Sequence, residues 1–507
     1  MLNIRRIARG AAVAAIAITL GLTAQGQESR GLGSGQATGS AIENEAVATA
    51  EATATPPATY IKTYANFVST RQEDLTPEDV KATSDGGYIL LGTTPGNGNL
   101  VSWLVKTDSS GNPKWQKELG CFNSPPGDYT IGASLQQTTD GGYIVGGGAI
   151  GCGSGSALVE KLDSTGNLLW AKTYPVGPNG GDFFSIKQTT DGGFVAAGSS
   201  FASGFAANGA LVLKLDGSGN LQWQRVIGPA GSTHAWFKAV EQTSDGGYAA
   251  VGNFSNSSSE GALVVKLDSN GQLQWQRGVN QQQGQGPVTA NAIVQTSDRG
   301  YMVFGQYFNN SSQGPLLVKL DAGGNLLSQK AYSGGQYCYV NGVGIEVCTN
   351  LSAYIYSVNP TPDGGFVLAG DENLKLNDSA PIEPWLAKVD SSGNLLWQHF
   401  YYQTLASTGR PLSEYFASSS LAKDGGFVAL GWTEDYAHQL GLLYLVKTDS
   451  SGICASCSEL HTATPLSAVD AGVTTTTPSL PVGTTAPPGV SAPSKTGKTA
   501  IKVKKDC

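Results

Sequence analysis

The stretch Ala210–Gln224, ALVLKLDGSGNLQWQ, contains most of the pattern that decides the fold. An apolar run ends at Lys214, a turn with Asp216 and two glycines follows, and a second run carries Trp223. Short apolar and β-branched runs bounded by turn residues are typical of buried β-strands. Asp accepts hydrogen bonds from the backbone just after it, and Gly supplies the positive φ of a tight turn. The stretch therefore predicts a β-hairpin.

The hairpin belongs to a repeat that occurs seven times in the chain. Each copy begins with Asp-Gly-Gly or a close relative, 51 to 65 residues after the previous one, at Asp85, Asp140, Asp191, Asp245, Asp298, Asp363 and Asp424. Each copy also contains Lys-x-Asp, beginning at Lys106, Lys161, Lys214, Lys266, Lys319, Lys388 and Lys447. Repeats of about 40–50 residues with four strand-like stretches are typical of β-propellers, and the surplus residues here fall in loops.

One strand is predicted far from the repeat that it completes. The seventh copy ends after KTDSSG, at Lys447–Gly452, without a fourth strand, whereas YIKTY at Tyr60–Tyr64 resembles WAKTY at Trp170–Tyr174 and has no repeat before it. Tyr60 then takes the place of a Trp that we expect to lie between neighbouring sheets. Sheets closed into a ring in this way leave no open blade edge. The sequence therefore predicts an all-β fold: a seven-bladed β-propeller of four-stranded blades, closed by the N-terminal strand.

These repeats resemble those of bacterial secreted β-propeller (SBBP-type) proteins, over about Tyr60 to Cys457 and all seven copies. The resemblance implies the fold and gives little guidance on activity. There is a weaker likeness to quinoprotein-like propeller repeats, but the interval from Asp to Gly is one residue shorter here. The adjacent Cys pair of those dehydrogenases is also absent, so no cofactor is carried over. Asp boxes of sialidase type are similar too, without the arginine cluster and tyrosine nucleophile that accompany them.

The two ends of the chain differ in composition from the repeats. Residues 1–26 combine three arginines, a short apolar run and the small-residue sequence AQG, which predicts a signal peptide and export to the periplasm, cell surface or extracellular space. Residues 27–58 predict a disordered leader, residues 59–457 the propeller, and residues 458–507 a Thr/Pro-rich disordered stalk. Its last residues, AIKVKKDC, are either a docking strand or a solvated tail. The net charge of −8 and the lack of a dense basic run disfavour nucleic acid as a partner, and no later segment is apolar enough to predict a transmembrane segment.

The sequence offers no catalytic or metal-binding motif. Each DSSGN-type turn has one carboxylate, whereas Ca²⁺ takes six to eight oxygen ligands, so we expect the Asp to cap its own turn. The four histidines are not spaced as metal ligands. We therefore expect no catalytic residue, no metal and no cofactor.

Antiparallel strand order places the DGG and DSSGN turns at one end of every sheet and the variable loops at the other. We call that second end the variable face, and recognition residues commonly lie on such loops. The candidate binding residues there are His234, Trp236, Tyr337, Tyr339, Tyr354, Tyr415 and Trp432. Aromatic rings offer large contact areas to sugars and peptides, and the alternative is that these rings pack within blades.

Seven cysteines suit an exported protein. Loop assignments favour three disulfides, Cys121–Cys152, Cys338–Cys348 and Cys454–Cys457. Cys507 remains as an odd thiol beside lysines, which suggests either an intermolecular bond to a partner or a second copy, or a thiol capped by a small molecule.

Two functions follow from these observations. The first is an exported, non-enzymatic propeller that binds or scaffolds an extracellular protein or glycan through its variable face. The alternative is an extracellular polysaccharide hydrolase or lyase with its site in the central funnel. A carboxylate cluster at the funnel would favour the enzyme, and a surface rich in aromatic, Asn and Ser residues would favour binding.

Overall fold

A computed structural model describes the repeat region and five short segments of the C-terminal tail. The described residues are 59–64, 75–96, 99–120, 129–150, 156–177, 180–201, 208–227, 234–255, 260–281, 286–308, 313–333, 336–340, 346–350, 352–373, 382–401, 414–435, 440–455, 460–461, 467–469, 473–476, 482–483 and 502–504. Within them the chain is all strand and turn, without a helix.

The strands are short, and most have seven to nine residues. The first half of the chain contains β1 (Tyr60–Tyr64), β2 (Thr76–Ala82), β3 (Tyr88–Gly96), β4 (Asn99–Thr107), β5 (Pro113–Gly120), β6 (Tyr129–Gln137), β7 (Tyr143–Ile150), β8 (Ser156–Leu162), β9 (Leu168–Tyr174), β10 (Gly181–Gln188), β11 (Phe194–Phe201), β12 (Asn208–Leu215), β13 (Leu221–Ile227), β14 (His234–Gln242), β15 (Tyr248–Ser255), β16 (Glu260–Leu267) and β17 (Leu273–Gln281). The second half contains β18 (Val288–Gln295), β19 (Tyr301–Phe308), β20 (Gln313–Leu320), β21 (Leu326–Ser333), β22 (Gln336–Val340), β23 (Glu346–Asn350), β24 (Ser352–Pro360), β25 (Phe366–Asn373), β26 (Ile382–Val389), β27 (Leu395–Tyr401), β28 (Glu414–Leu421), β29 (Phe427–Asp435) and β30 (Leu440–Thr448). The tail adds β31 (Leu460–His461), β32 (Ser467–Val469), β33 (Val473–Thr476), β34 (Val482–Gly483) and β35 (Lys502–Lys504).

Hydrogen bonding groups these strands into four-stranded antiparallel units, as the sequence predicted. Among the described residues there are seven: β2–β5 (unit 1), β6–β9 (unit 2), β10–β13 (unit 3), β14–β17 (unit 4), β18–β21 (unit 5), β24–β27 (unit 6) and β28–β30 with β1 (unit 7). One parallel bridge, Leu100 to Tyr129, joins units 1 and 2 into a single sheet, and β22 and β23 form a separate hairpin. Four-stranded units of this kind resemble propeller blades.

The N-terminal strand completes the last unit. β1 pairs antiparallel with β30, with Tyr60 opposite Lys447. The Tyr64 hydroxyl donates to the Gly111 carbonyl of unit 1 at 2.7 Å. In WAKTY the Tyr174 hydroxyl donates to Gly219 at the same distance. The two segments therefore make the same contact with the next unit. This explains why an isolated fourth strand precedes the first repeat.

An aromatic ring fills the space between most neighbouring units. An added Cβ on the glycine of the next DSSGN-type turn would lie within 2.8 Å of the ring, in the pairs Trp115–Gly166, Trp170–Gly219, Trp223–Gly271, Trp275–Gly324 and Trp397–Gly452. Tyr60 lies against Gly111 in the same way. In unit 5, Ser328 stands at this position, and Gly393 contacts Leu317 instead. The expectation that this side chain lies between neighbouring sheets is confirmed at these positions.

Each DGG aspartate forms an ion pair with the lysine of its own Lys-x-Asp sequence. In unit 3, Asp191 accepts from Lys214 Nζ at 2.9 Å, from the Thr189 hydroxyl, and from the Gly193 amide. Hydrogen bonds from Thr296 and Lys319 lower the pKa of Asp298 to about 2. The DSSGN aspartates cap their turns as expected: Asp163 accepts from the amides of Thr165 and Asn167. The two repeat motifs therefore fix the turns at one end of every sheet.

Side chains also link the first strands of neighbouring units, which we call the innermost strands. A backbone amide of one unit donates to a Ser or Asp side chain of the unit before it, in the pairs Leu135–Asp79 (2.9 Å), Ile186–Ser134 (3.2 Å), Val240–Ser185 (3.3 Å) and Ser419–Ser357 (3.1 Å). Val80 donates to Ser418 in the same way at 3.4 Å, which connects unit 1 with unit 7. The Ser418 hydroxyl in turn donates to Asp79 at 2.6 Å. These bonds satisfy amides on an edge where no further strand pairs.

The described parts of the tail at 458–507 are five short strands, and the disordered stalk stays a prediction. Each short tail strand pairs antiparallel with the outermost strand of one unit: β31 with β27, β32 with β21, β33 with β17, β34 with β13, and β35 with β5. The open edge of an outer strand is a template for pairing, and Val and Thr suit extended backbone. Among the described residues, Lys502–Lys504 pairs along the edge of β5, which is the arrangement expected of a docking strand.

We predict that deleting residues 59–66 lowers the melting temperature far more than deleting residues 27–58. The first deletion exposes the edge of β30 and removes the Tyr60 and Tyr64 contacts with Gly111. Differential scanning calorimetry of the two truncated proteins measures the effect. Equal melting temperatures would contradict the role assigned to β1.

A second prediction concerns Glu160, a buried residue on β8 whose Oε1 has no hydrogen-bond partner among the described residues. Burial raises the pKa of Glu160 to about 8, from 4.5. Because the unfolded chain ionises at lower pH than the folded protein, this group makes the protein less stable as pH rises through that window. Unit 4 has Val265 at the equivalent position.

Glu160→Val should therefore raise the melting temperature more at pH 8 than at pH 5. Glu260→Gln, at an exposed position of β16, is the matched control and should show no such difference. An equal gain for Glu160→Val at both pH values would contradict the ionisation argument and leave only a packing effect.

Candidate functional site

The innermost strand of every unit contains a β-bulge at the same place. The register shifts by one residue between Phe237 and Ala239 in β14, and at the corresponding point of the other six inner strands. The unpaired residues are Glu78, Ala133, Phe184, Lys238, Asn291, Tyr356 and Ala417, and we call them the bulge residues. Each is half-buried or exposed, whereas the residue before it is buried. A bulge re-aims a side chain, so each unit presents one residue of variable chemistry near the variable face.

A pocket of about 370 Å³ opens beside three of these residues. It is lined by Phe184, Ser199, Phe201, Trp236, Lys238, Asn253, Thr289 and Asn291, which come from the two innermost strands of units 3 and 4 and from the innermost strand of unit 5. This volume falls within the range of small-ligand sites. The lining combines three aromatic rings with hydroxyl and amide groups, and Lys238 is its one charged residue.

The polar groups of the pocket are held in fixed orientations. Asn253 Oδ1 accepts from the Ala290 amide at 2.9 Å. Asn291 Nδ2 donates to the Ile355 carbonyl at 2.7 Å and to Gln306 Oε1 at 3.2 Å. These bonds leave the Asn253 amide nitrogen as a donor and the Asn291 oxygen as an acceptor within the described part of the chain.

Lys238 lies over an aromatic ring rather than against a carboxylate. Its Nζ is 4.4 Å from the centroid of the Phe184 ring, and it forms no ion pair with a described residue. Burial holds the pKa of Lys238 below its ordinary value, and the charge of Glu78 opposes this effect. Burial likewise raises the pKa of Glu78 to about 7. The bulge residues of units 4 and 1 therefore influence each other electrostatically.

A tyrosine pair marks the variable face of unit 6. Tyr354 and Tyr356 stack with centroids 6.3 Å apart and planes 5° apart, and Gln313 Nε2 donates to the Tyr354 hydroxyl at 2.9 Å. Asp371 lies opposite Tyr354 across the strand pair. Burial raises the pKa of Asp371 to about 7 against a hydrogen bond from Tyr356.

Two further carboxylates lie at the same end of unit 6. Glu372 of β25 is the cross-strand partner of Glu383 of β26. Burial, with the charges of Glu383 and Asp371, raises the pKa of Glu372 to about 8, and burial raises that of Glu383 to about 7. No sequence pattern singled out these three acids, although they stand at the two ends of the segment GDENLKLNDSAPIEP, residues 370–384. Burial, which the sequence pattern does not reveal, distinguishes them from surface acids.

The predicted binding residues do not all meet at one place. Trp236 lines the pocket, whereas His234, the half-buried first residue of β14, does not. Tyr415 and Trp432 are cross-strand partners in unit 7 and stack at 6.2 Å. Burial and the charges of Glu78 and Asp371 raise the pKa of Tyr415 to about 12. Tyr337 and Tyr339 lie on the β22–β23 hairpin, and their side chains are outside the described residues.

Few of the cysteines in the three predicted disulfides have described side chains. Cys338 and Cys348 are opposite each other in the β22–β23 register, but their side chains are not described. Cys454 is buried and disulfide-bonded, and Cys457 lies outside the described residues. Cys121, Cys152 and Cys507 also lie outside them. The three pairings therefore stay predictions.

The described ranges contain no group of three or more His, Cys, Asp or Glu side chains arranged to hold a metal ion. In the same ranges no helix has the length and apolar character needed to cross a membrane.

Comparison with known proteins finds similarity only at the level of structure. No family model and no curated protein matches the chain. Sqt1 from Chaetomium thermophilum aligns with a TM-score of 0.39 at 11% identity, over 76% of this chain and 86% of that one. A subtype N10 neuraminidase-like protein of A/little yellow-shouldered bat/Guatemala aligns with a TM-score of 0.34 at 9% identity, over 77% and 98%. A glycosyl hydrolase from Bacteroides ovatus aligns with a TM-score of 0.24 at 11% identity, over 49% and 85%. Scores this low carry no argument about function.

Proposed function

We propose that the seven units are the blades of one β-propeller closed by β1, and that its variable face binds an extracellular protein or glycan without catalysing a reaction. The observation that carries this proposal is the pocket around Trp236, whose described lining consists of aromatic, amide and hydroxyl side chains with one lysine and contains no carboxylate. A hydrolase of the common type needs two carboxylates flanking the scissile bond. Aromatic rings and oriented amides are instead the equipment of a recognition site.

Closure of the ring is supported by contacts between the two ends of the repeat region. β1 pairs with β30 of unit 7 and contacts Gly111 of unit 1. On the inner strands, Asp79 of unit 1 is hydrogen-bonded to Ser418 of unit 7. The interaction between Lys238 and Glu78 fits inner strands that face each other around a central channel.

The second candidate, a polysaccharide hydrolase or lyase, is favoured by one observation. Asp371, Glu372 and Glu383 lie together at the variable end of unit 6, with pKa values that burial raises to about 7 or 8. A carboxyl group protonated near neutral pH is able to act as a general acid. Binding remains the leading proposal because the pocket around Trp236 brings aromatic rings and oriented amide groups together in one cavity.

The test is a glycan and peptide array probed with the purified full-length protein and with Trp236→Ala. Loss of the stacking surface should reduce binding of the retained ligand at least tenfold, while the melting temperature stays close to that of the parent because Trp236 is only half-buried. Glu383→Gln is the matched variant for the alternative and should leave binding unchanged. Release of shortened glycans that Glu383→Gln abolishes would overturn the binding proposal in favour of the enzyme.

Export and attachment to a partner through Cys507 remain part of the proposal. Lys504, the last described residue, pairs with Glu118 at the outer edge of unit 1 and stands three residues before Cys507 in the sequence. We infer that the Cys507 thiol forms a disulfide with a second copy or with a surface protein. The bond would form by oxidation of two thiols, with an extracellular oxidant accepting two electrons and two protons.

We predict that non-reducing gels of the exported protein show a linked species that Cys507→Ser removes. Reduction with dithiothreitol should collapse the same species to the monomer. An unchanged band pattern and unchanged surface retention in Cys507→Ser would disprove the attachment.

A further inference from the structure

We propose that the pocket beside Trp236 takes a pyranose sugar that carries a carboxylate group, such as a uronic acid unit of an acidic polysaccharide. This proposal rests on the proposed binding function and names its ligand class. It is carried by the arrangement of one cation, two oriented amides and three rings around a space of sugar size.

The Lys238 ammonium favours an acidic ligand by its position. It is open to the pocket, is stacked on Phe184, and is not ion-paired with any described carboxylate. The face of an aromatic ring stabilises an ammonium only in part, so an anion that enters the pocket completes its partners. In a chain with a net charge of −8, a pocket whose one charged lining residue is a lysine is selective for anions by local contact rather than by the field of the whole protein.

The amide side chains of the pocket supply the polar contacts that a polyol needs. Asn253 Oδ1 already accepts from the Ala290 amide, and Asn291 Nδ2 already donates to the Ile355 carbonyl. Within the described part of the chain this leaves Asn253 with a donor and Asn291 with an acceptor. The two groups therefore suit the hydroxyls of a sugar ring.

A peptide bound as an added strand does not fit this pocket. That mode needs a row of unpaired backbone groups on a strand edge. On β10 and β14 the inner-edge amides of Ile186 and Val240 already donate to Ser134 and Ser185. The pocket therefore offers side-chain groups and ring faces, and these match a sugar ring that stacks on Trp236 through its C–H face.

Calorimetric titration of the purified full-length protein with methyl glucuronide and with methyl glucoside tests the proposal. We expect the acidic sugar to bind at least tenfold more tightly, and Lys238→Met to remove that preference. Lys172→Met is the matched control, because Lys172 lies 5.6 Å from the Trp170 ring on an outer strand, outside the pocket lining. It should leave both affinities unchanged.

The remaining outcomes separate this inference from the broader function. Equal affinity for the two sugars, or a preference that survives Lys238→Met, overturns the acidic ligand and leaves a neutral-glycan site. If neither sugar binds and Trp236→Ala still abolishes capture of an array peptide, the ligand is a protein and this inference is wrong while the binding function stands.

Discussion

In each of the seven described units the innermost strand has no further strand paired along its inner edge, apart from the single Leu100–Tyr129 bridge, and the backbone amides on that edge must still be satisfied. The chain satisfies them with side chains from the neighbouring unit. Ser134, Ser185, Ser357, Ser418 and Asp79 each accept an amide of the following inner strand. Every such bond crosses from one unit to the next. The need of each inner-edge amide for an acceptor therefore also sets the spacing between neighbouring sheets.

The exceptions to this pattern coincide with the candidate site. Units 4 and 5 have Ala239 and Ala292 where the other units have Ser or Asp, so no side chain there can accept the next amide. Amide side chains bridge these units instead: Asn253 accepts from Ala290, and Asn291 and Gln306 donate to the Ile355 carbonyl. The bulge residues Lys238 and Asn291, which directly precede the two alanines, line the pocket. Longer polar side chains from other positions therefore bridge these units, and a space opens between those side chains.

Much of the fold was predictable because each repeat contains local patterns that have one structural role each. These patterns are the DGG and DSSGN turns, the lysine of Lys-x-Asp and the Trp that lies between neighbouring units. The strand Tyr60–Tyr64 was recognisable by its likeness to Trp170–Tyr174. The site was predictable only through Trp236. The bulge residues share a position but not a residue type, so no sequence pattern marks Lys238 or Asn291. The acids Asp371, Glu372 and Glu383 were hidden because burial gives them their properties. The tail strands have two to four residues each, which is too short for a periodicity to appear.

The tail strands run in the reverse order of the units that they cover: unit 6, then 5, 4 and 3, and finally unit 1. Each contact of two to four residue pairs is marginal by itself. Once one segment is paired, however, its neighbour is held at a high effective concentration beside the next outer edge. The tail therefore behaves as a multivalent ligand of its own protein. We expect single segments to leave and rejoin the surface while the others stay paired, so their amides should exchange with solvent hydrogen long before those of the sheets beneath.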